Sequence, residues 1–211
     1  MELFFSPLAC SMASRMVLYE TGAPATFVEV DPKTKRTLTG LDYFTINPLG
    51  LVPALRIDSG EMLLENAAIL QFIADRHPDA SLAPSAGLAR ARLQQWLSFI
   101  GTELHKALFI PLFDKTLADT TRTKTLELGS KRLAYLDKHL KGRDYLLDHF
   151  SVADAYLVTV LNWNIATPVD LKVWPSVDAY FARMKSRPAV ARAMQEEFAL
   201  YAEEQKRHKA A

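Results

Sequence analysis

The spacing of apolar residues changes along the chain, and the change divides it in two. Up to about residue 80, short apolar or β-rich runs alternate with helical ones. Beyond it, every periodic segment carries the three- and four-residue spacing of a helix. Residues 3–5 predict a short apolar strand. Residues 11–21 predict a helix, closed by Gly22 with Pro24 just beyond. Residues 26–30 are β-rich and Asp31-Pro32 stops them; residues 42–46 predict a short helix. Residues 54–57 and 61–64 flank Asp58-Ser59-Gly60, a hairpin signal, and residues 67–77 predict a helix stopped by Pro78. A βαβ unit followed by a ββα unit makes a small mixed sheet with helices packed on it.

The second part reads as helical throughout. Leu93, Trp96, Leu97, Ile100, Leu104 and Leu108 form one apolar stripe, and Pro111 is expected to kink or end that helix. Leu126, Leu133, Leu136 and Leu140 mark the next helix, with Gly142 closing it. Ser151 suits an N-cap, and Asp154 three residues on completes a capping-box pair. The run 155–161 is apolar nearly all round, which predicts a buried central helix. Pro175 and Pro188 stand where a first-turn proline would start further helices, and the polar tail 203–211 is expected to fray. Pro78, Pro84 and Gly87 punctuate the change of pattern. The predicted domains are therefore 1–78 and 88–211, with 79–87 as linker.

Composition narrows the function. Residues 1–80 hold 6 Lys and Arg against 10 Asp and Glu, and the remainder 19 against 14, so the 211-residue chain carries only +1. That balance argues against a nucleic-acid binder. A hydrophobic share of 49% supports a real core. The longest apolar runs fall far short of a membrane span, and the start Met1-Glu2-Leu3-Phe4-Phe5 has no basic region of a secretory signal. One cysteine allows no intrachain disulfide and no Cys-rich metal site, which fits a reducing cytoplasm. The five histidines (77, 105, 139, 149 and 208) lack metal-ligand spacing, so no metal is expected, and no zinc-protease, esterase, P-loop or dinucleotide motif occurs.

Three segments carry candidate chemistry. Cys10 lies where the first strand passes into the first helix. There the helix N–H groups and dipole favour a thiolate, while a buried inert thiol is the plain alternative. In Asn47-Pro48-Leu49-Gly50-Leu51-Val52-Pro53-Ala54-Leu55 a proline opens a strand. A cis bond there would leave the Val52 N–H and C=O available to an extended peptide, and an ordinary trans turn is the alternative. Glu65 and Asn66 open the third helix, either as a carboxylate or ammonium site or with Asn66 as a simple cap. His105 sits at the edge of an apolar stripe, where a structural role competes with a catalytic one. Lys33, Lys35 and Arg36 form either a solvated loop or a carboxylate clamp.

Taken in order, Ser6-Pro7, Ala9-Cys10-Ser11, the 47–55 segment, Leu64-Glu65-Asn66-Ala67-Ala68-Ile69 and Ser151-Val152-Ala153-Asp154 resemble the glutathione transferase family. Thr102-Glu103-Leu104-His105-Lys106 followed by Pro111-Leu112-Phe113 resembles its bacterial beta class. The resemblance implies a thioredoxin-like N-terminal domain (βαβαββα), an all-helical C-terminal bundle, a homodimer and glutathione as cosubstrate. It implies that Pro53 is cis and that Val52 pairs its backbone with the cysteinyl part of glutathione. Glu65 and Asn66 would hold the γ-glutamyl end and Lys35 the glycyl carboxylate. Cys10 would face the glutathione sulfur as a catalytic residue, with His105 and Lys106 approaching from the helical domain. Ser98 and Thr102 would reach the partner subunit's glutathione, and Phe109, Ile110, Phe113 and Trp163 would form an apolar wall for a small electrophile.

Departures from that class are Leu8 for a usual Gly, Arg15 for His, Asn66 for a small residue, Ser98 for Asn and Phe5 for Tyr. The charged tail is also longer than usual. Arg15, if it points inward, would add a cation beside the thiol. Three functions follow: detoxifying conjugation of glutathione to electrophiles, a glutathione-dependent thiol–disulfide reductase or reductive dehalogenase using Cys10, and a non-catalytic binding or scaffold protein on the same fold.

Overall fold

The computed structural model describes residues 1–210. By packing, the chain forms two units: residues 1–82 together with the last helix, and Ala83–Arg187.

The first unit is built on a four-stranded sheet of β1 (Glu2–Phe5), β2 (Thr26–Glu29), β3 (Ala54–Arg56) and β4 (Met62–Leu64), in the order β2-β1-β3-β4. β1 runs parallel to β2 and antiparallel to β3, so the βαβ and ββα halves meet at β1. Alternation along β1 sorts its side chains between two faces. Phe4 packs with Val30, Tyr43 and Ala54. Leu3 and Phe5 are buried on the other side. Helices α1 (Met12–Thr21) and α2 (Asn66–Arg76) complete the thioredoxin-like layer. As the glycine signal predicts, α1 ends on Gly22 in the left-handed region at φ 64°.

The last helix, α8 (Pro188–Ala210), packs against α1. The sequence groups 188–211 with the helical half, but the packing groups this helix with the first unit. The expected fraying is also absent over 203–210, which continue the helix; Ala211 lies outside the described residues. The reason is that the tail is anchored. Glu204 is buried, Arg207 pairs with Glu29, and His208 bonds Asp31 at 2.7 Å.

The second unit contains α3 (Gly87–Phe99), α4 (Ile110–Phe113), α5 (Asp119–Leu140), α6 (Val152–Leu161) and α7 (Pro175–Lys185). Between α3 and α4 the chain stays helical but widens to a π-helix over Ile100–Phe109. Pro111 does not end the helix. Lacking an N–H and crowding the preceding turn, it is accommodated by the wider winding before it. The stripe from Leu93 to Leu108 is buried, and all ten residues of α6 are buried, as the apolar run predicts. At Gly129 of α5 a Cβ would meet Leu108 Cδ1 at 2.2 Å, so only glycine allows α5 this close to the π-helical segment. α6 opens with the predicted capping box of Ser151 and Asp154.

Candidate active site

The turn from β1 into α1 carries Cys10. Its backbone is held from several directions. Ser11 Oγ accepts from Ser6 N–H and donates to Ser6 C=O, both at 3.3 Å. Ser6 Oγ donates to Val30 C=O at 2.6 Å. Asn66 Nδ2 donates to Cys10 C=O at 3.2 Å, while Asn66 Oδ1 accepts from Ser14 Oγ at 3.0 Å. The Asn66 side chain therefore points inward and ties α2 to the start of α1. Asn66 does not cap α2; Glu65 occupies the N-cap, in a left-handed conformation at φ 67° and exposed. That conformation is costly for a non-glycine residue and recurs where side chains bind ligands.

The Val52–Pro53 bond is cis. Cys10 Sγ donates to Val52 C=O at 3.2 Å, which brings the cysteine turn and the proline segment together. The segment just before is braced as well. Leu51 C=O accepts from Tyr43 Oη at 2.8 Å and from Asn47 Nδ2 at 2.7 Å. Lys35 Nζ donates to Gly50 C=O at 3.0 Å. Lys35 itself is half-buried, at φ 55°. So Cys10, Val52 and Pro53 form one neighbourhood, Lys35 joins it through Gly50, and α2 joins it through Asn66.

Arg15 does not face the thiol. Its Nε donates to Glu197 Oε1 at 2.9 Å and its Nη1 approaches Glu196 at 3.3 Å. Its guanidinium lies 4.3 Å from the Phe5 ring centre and 4.1 Å from that of Phe27. The expected extra cation at the sulfur is thus taken up by α8 and two aromatic faces. Glu197 was not legible as a site residue. Fully buried, it turns its other oxygen to Leu8 N–H at 2.7 Å, and so holds the cysteine turn from 189 residues away. Leu8, at φ 59°, adopts the left-handed conformation that a glycine would take more easily. Burial pushes the Glu197 carboxyl up to about 7, against the opposing pull of Arg15 and the Leu8 N–H.

The second unit carries the remaining candidates. His105 lies on the π-helical segment, a winding that often marks functional positions. It is buried, with Nδ1 hydrogen-bonded to the Tyr156 hydroxyl at 2.7 Å. Burial, with a smaller contribution from Lys106, lowers its pKa to about 4, so the imidazole is neutral at pH 7. Trp163 meets three rings edge to face: His105 at 4.8 Å, Phe109 at 5.9 Å and Phe113 at 5.6 Å. Phe109 is fully buried, whereas Ile110 and Phe113 are exposed at 41% and 39%. Three of the predicted apolar residues, Phe109, Phe113 and Trp163, thus form one patch that is still partly open, and the neighbouring Ile110 is exposed. Lys106, Ser98 and Thr102 are exposed, and Thr102 Oγ1 donates to Ser98 C=O one turn back at 3.0 Å. Among the described residues no group of acids, histidines and cysteine is arranged to hold a metal ion, and no helix is long and apolar enough to cross a membrane.

Comparison with known proteins identifies the family. Residues 9–76 match the model of the glutathione S-transferase N-terminal domain, and residues 99–188 that of the C-terminal domain. Glutathione S-transferase GstA of Escherichia coli O157:H7 is 41% identical, over 93% of this chain and 98% of that protein. A sphingomonad glutathione S-transferase solved in complex with glutathione is 46% identical, with a TM-score of 0.89 over 93% of this chain and 98% of that one. The bacterial beta-class enzyme of Sphingomonas chungbukensis is 45% identical, with a TM-score of 0.88 over the same shares. With both domain models matched in order and a beta-class enzyme 45% identical over nearly the whole chain, the chain belongs to the glutathione S-transferase family, in its bacterial beta class.

Proposed function

We propose that this protein conjugates the glutathione thiolate to small, largely apolar electrophiles, with Cys10 at the glutathione sulfur. The observation that carries the reading is the 3.2 Å contact between Cys10 Sγ and Val52 C=O. A thiol at a helix start sits beside the backbone that an extended peptide would pair with. A glutathione whose cysteinyl part pairs with Val52 would bring its sulfur to Cys10. The exposed Glu65 holds the γ-glutamyl ammonium, and the α2 N-terminus its carboxylate. Since the Asn66 side chain is bonded inward, its part is to set the α2 N-terminus against the Cys10 turn. Lys35 takes the glycyl carboxylate.

The chemistry rests on ionising a thiol. Backbone N–H groups and the positive end of α1 favour sulfur as the anion, which lowers its pKa and makes it a good nucleophile. The thiolate attacks an electrophilic carbon and forms a thioether, either as a leaving group departs from that carbon with its electron pair or as an activated double bond takes up a solvent proton, and Ile110, Phe113, Phe109 and Trp163 supply apolar contact for that substrate. His105 acts as a neutral hydrogen-bonding group, and Lys106 supplies the nearby positive charge of that unit. Exposed apolar side chains at Leu38, Leu41, Phe44, Leu49 and Leu51 support a homodimer. In that dimer Ser98 and Thr102 reach towards the partner's glutathione. A reducing cytoplasm keeps Cys10 a thiol, and detoxification is the fitting physiological role.

Phe5, buried under Arg15, carries no hydroxyl for the sulfur, and this favours a second reading in which the Cys10 thiolate attacks the S–S bond of a glutathione-containing mixed disulfide, takes the glutathione sulfur and expels the substrate thiol, after which a second glutathione thiolate frees Cys10 as glutathione disulfide leaves. Calorimetric titration of reduced glutathione into the wild type and Cys10→Ala separates the readings. Saturable binding that survives in Cys10→Ala, with conjugation retained, supports the transferase. Loss of disulfide-reductase turnover in Cys10→Ala with conjugation spared supports the second. No binding by either protein overturns both.

A further inference from the structure

The last turns of α8 reach the loop that carries Lys35, and they reach it through Asp31. Asp31 Oδ1 accepts from the N–H groups of Lys33 and Thr34, both at 2.9 Å, and so shapes the turn. Asp31 C=O accepts from Lys35 N–H at 3.0 Å, and Asp31 N–H donates to Arg36 C=O at 2.8 Å. The remaining carboxylate oxygen, Oδ2, receives His208 Nε2 at 2.7 Å. Burial alone would raise the Asp31 carboxyl; the Thr34 N–H, His208 and the Lys33 N–H outweigh it, and its pKa falls to about 2. Asp31 is therefore an acceptor, and His208 donates to it.

This is not a solvated surface contact. The His208 and Asp31 side chains are only 11% and 13% exposed. One residue before His208, Arg207 pairs with Glu29 at the end of β2, and Glu204 is buried alongside. The charged groups around His208 are thus Asp31, Glu29, Glu204 and Arg207. Lys35 depends on such support. It holds a left-handed conformation that a lysine adopts only when its surroundings dictate it. Its own C=O takes Tyr43 N–H at 2.9 Å, while its ammonium lies on Gly50 C=O. Three cations at positions 33, 35 and 36 share that one turn, which is closed by backbone hydrogen bonds and by a carboxylate held on both oxygens.

We propose that His208 is a positioning residue for glutathione: through Asp31 it fixes the 31–36 turn and so places the Lys35 ammonium for the glycyl carboxylate. The inference rests on the reading of Lys35 given above. It predicts an effect on one end of the ligand alone, which a general structural role would not produce.

The test compares reduced glutathione with γ-glutamylcysteine, which lacks the glycine, by calorimetric titration of the full chain and its variants. Lys35→Ala is expected to reduce the preference for glutathione about tenfold. His208→Ala is expected to reduce it about threefold while leaving γ-glutamylcysteine affinity unchanged. His208→Gln keeps a donor nitrogen at that position and restores most of the preference. Both ligands titrate the same folded molecules, so a partly unfolded variant changes the binding stoichiometry and not the ratio. An unchanged ratio in His208→Ala, with a lowered one in Lys35→Ala, overturns the inference and leaves Lys35 in its role. Equal loss for both ligands in His208→Ala also overturns it, as the mark of a structural contact. An unchanged ratio in Lys35→Ala overturns the reading of Lys35 itself.

Discussion

The two units treat their buried polar groups differently. In the second unit the buried ionisable groups, His105 and Asp154, are satisfied close to home, while Asn162 Nδ2 there has no hydrogen-bond partner. Asp154, fully buried, accepts from Leu146 N–H, Ser151 N–H, Ser151 Oγ and Tyr180 Oη, all between 2.8 and 2.9 Å, and His105 lies uncharged against Tyr156. In the first unit Ser6, Ser11 and Asn47 are satisfied nearby, but the buried ionisable groups are brought together from opposite ends of the chain and are incompletely paired. Arg15 meets Glu197, yet Arg15 Nη2 and Glu204 Oε2 have no hydrogen-bond partner. A local, closed network specifies a fold. A long-range, open one is a poor source of stability, because desolvating the ions offsets most of their attraction. What the Arg15–Glu197 pair does provide is an anchor for Leu8, and with it the cysteine turn.

The largest expected effect tests the closed network. Asp154→Ala leaves four buried donors without an acceptor and should cost about 4 kcal/mol in urea denaturation. A loss under about 1 kcal/mol would show that the network is dispensable, and the contrast would fail. Next comes the open one. Glu197→Ala strands a buried guanidinium and should cost about 3 kcal/mol, whereas the double variant Arg15→Met with Glu197→Leu should recover most of that. If the anchor matters, the double variant still alters the rate at which iodoacetamide alkylates Cys10, the only thiol in the chain. An unchanged rate with full stability would reduce the pair to packing.

The smallest effect is a difference in pH response. His105 titrates near 6.5 when unfolded and near 4 when folded, so its contribution is present above pH 6.5 and fades as pH falls towards 4. That amounts to about 2 kcal/mol lost between pH 7 and 5, and His105→Gln should flatten this slope. Glu197 has the opposite sign. Its folded value is raised from 4.5 to about 7, so its contribution is full below 4.5 and fades as pH rises through 7. Thermal melts of the two single variants across that range should therefore diverge from the wild type at opposite ends.

The same contrast explains what could be read in advance. Ser151 and Asp154 are three residues apart, so their pairing is written in a short stretch of sequence, as are the Gly22 stop, the prolines that open α7 and α8, and the proline at the head of β3. The destination of Arg15 was not legible, since its partner lies 182 residues away on a helix with no distinguishing pattern. The tail reads as polar and loose because its partners Glu29 and Asp31 are invisible from its own composition. Asn66 reads as a cap because the residue type favours one; a hydroxyl on Ser14 and a carbonyl at Cys10 won its side chain instead. The π-helical winding has no sequence signature beyond the proline that follows it.

The return of α8 to the first unit also bears on how the protein is made. A chain emerging from the ribosome presents residues 1–82 before 83–187, and most domains fold in that order. Here the bundle of residues 83–187 is contiguous and can close as soon as it is synthesised. The earlier unit must wait for Glu197, Arg207 and His208, which are synthesised after the whole of that bundle. Cys10 therefore reaches its finished setting only after the bundle has been made, although it precedes the bundle in the chain.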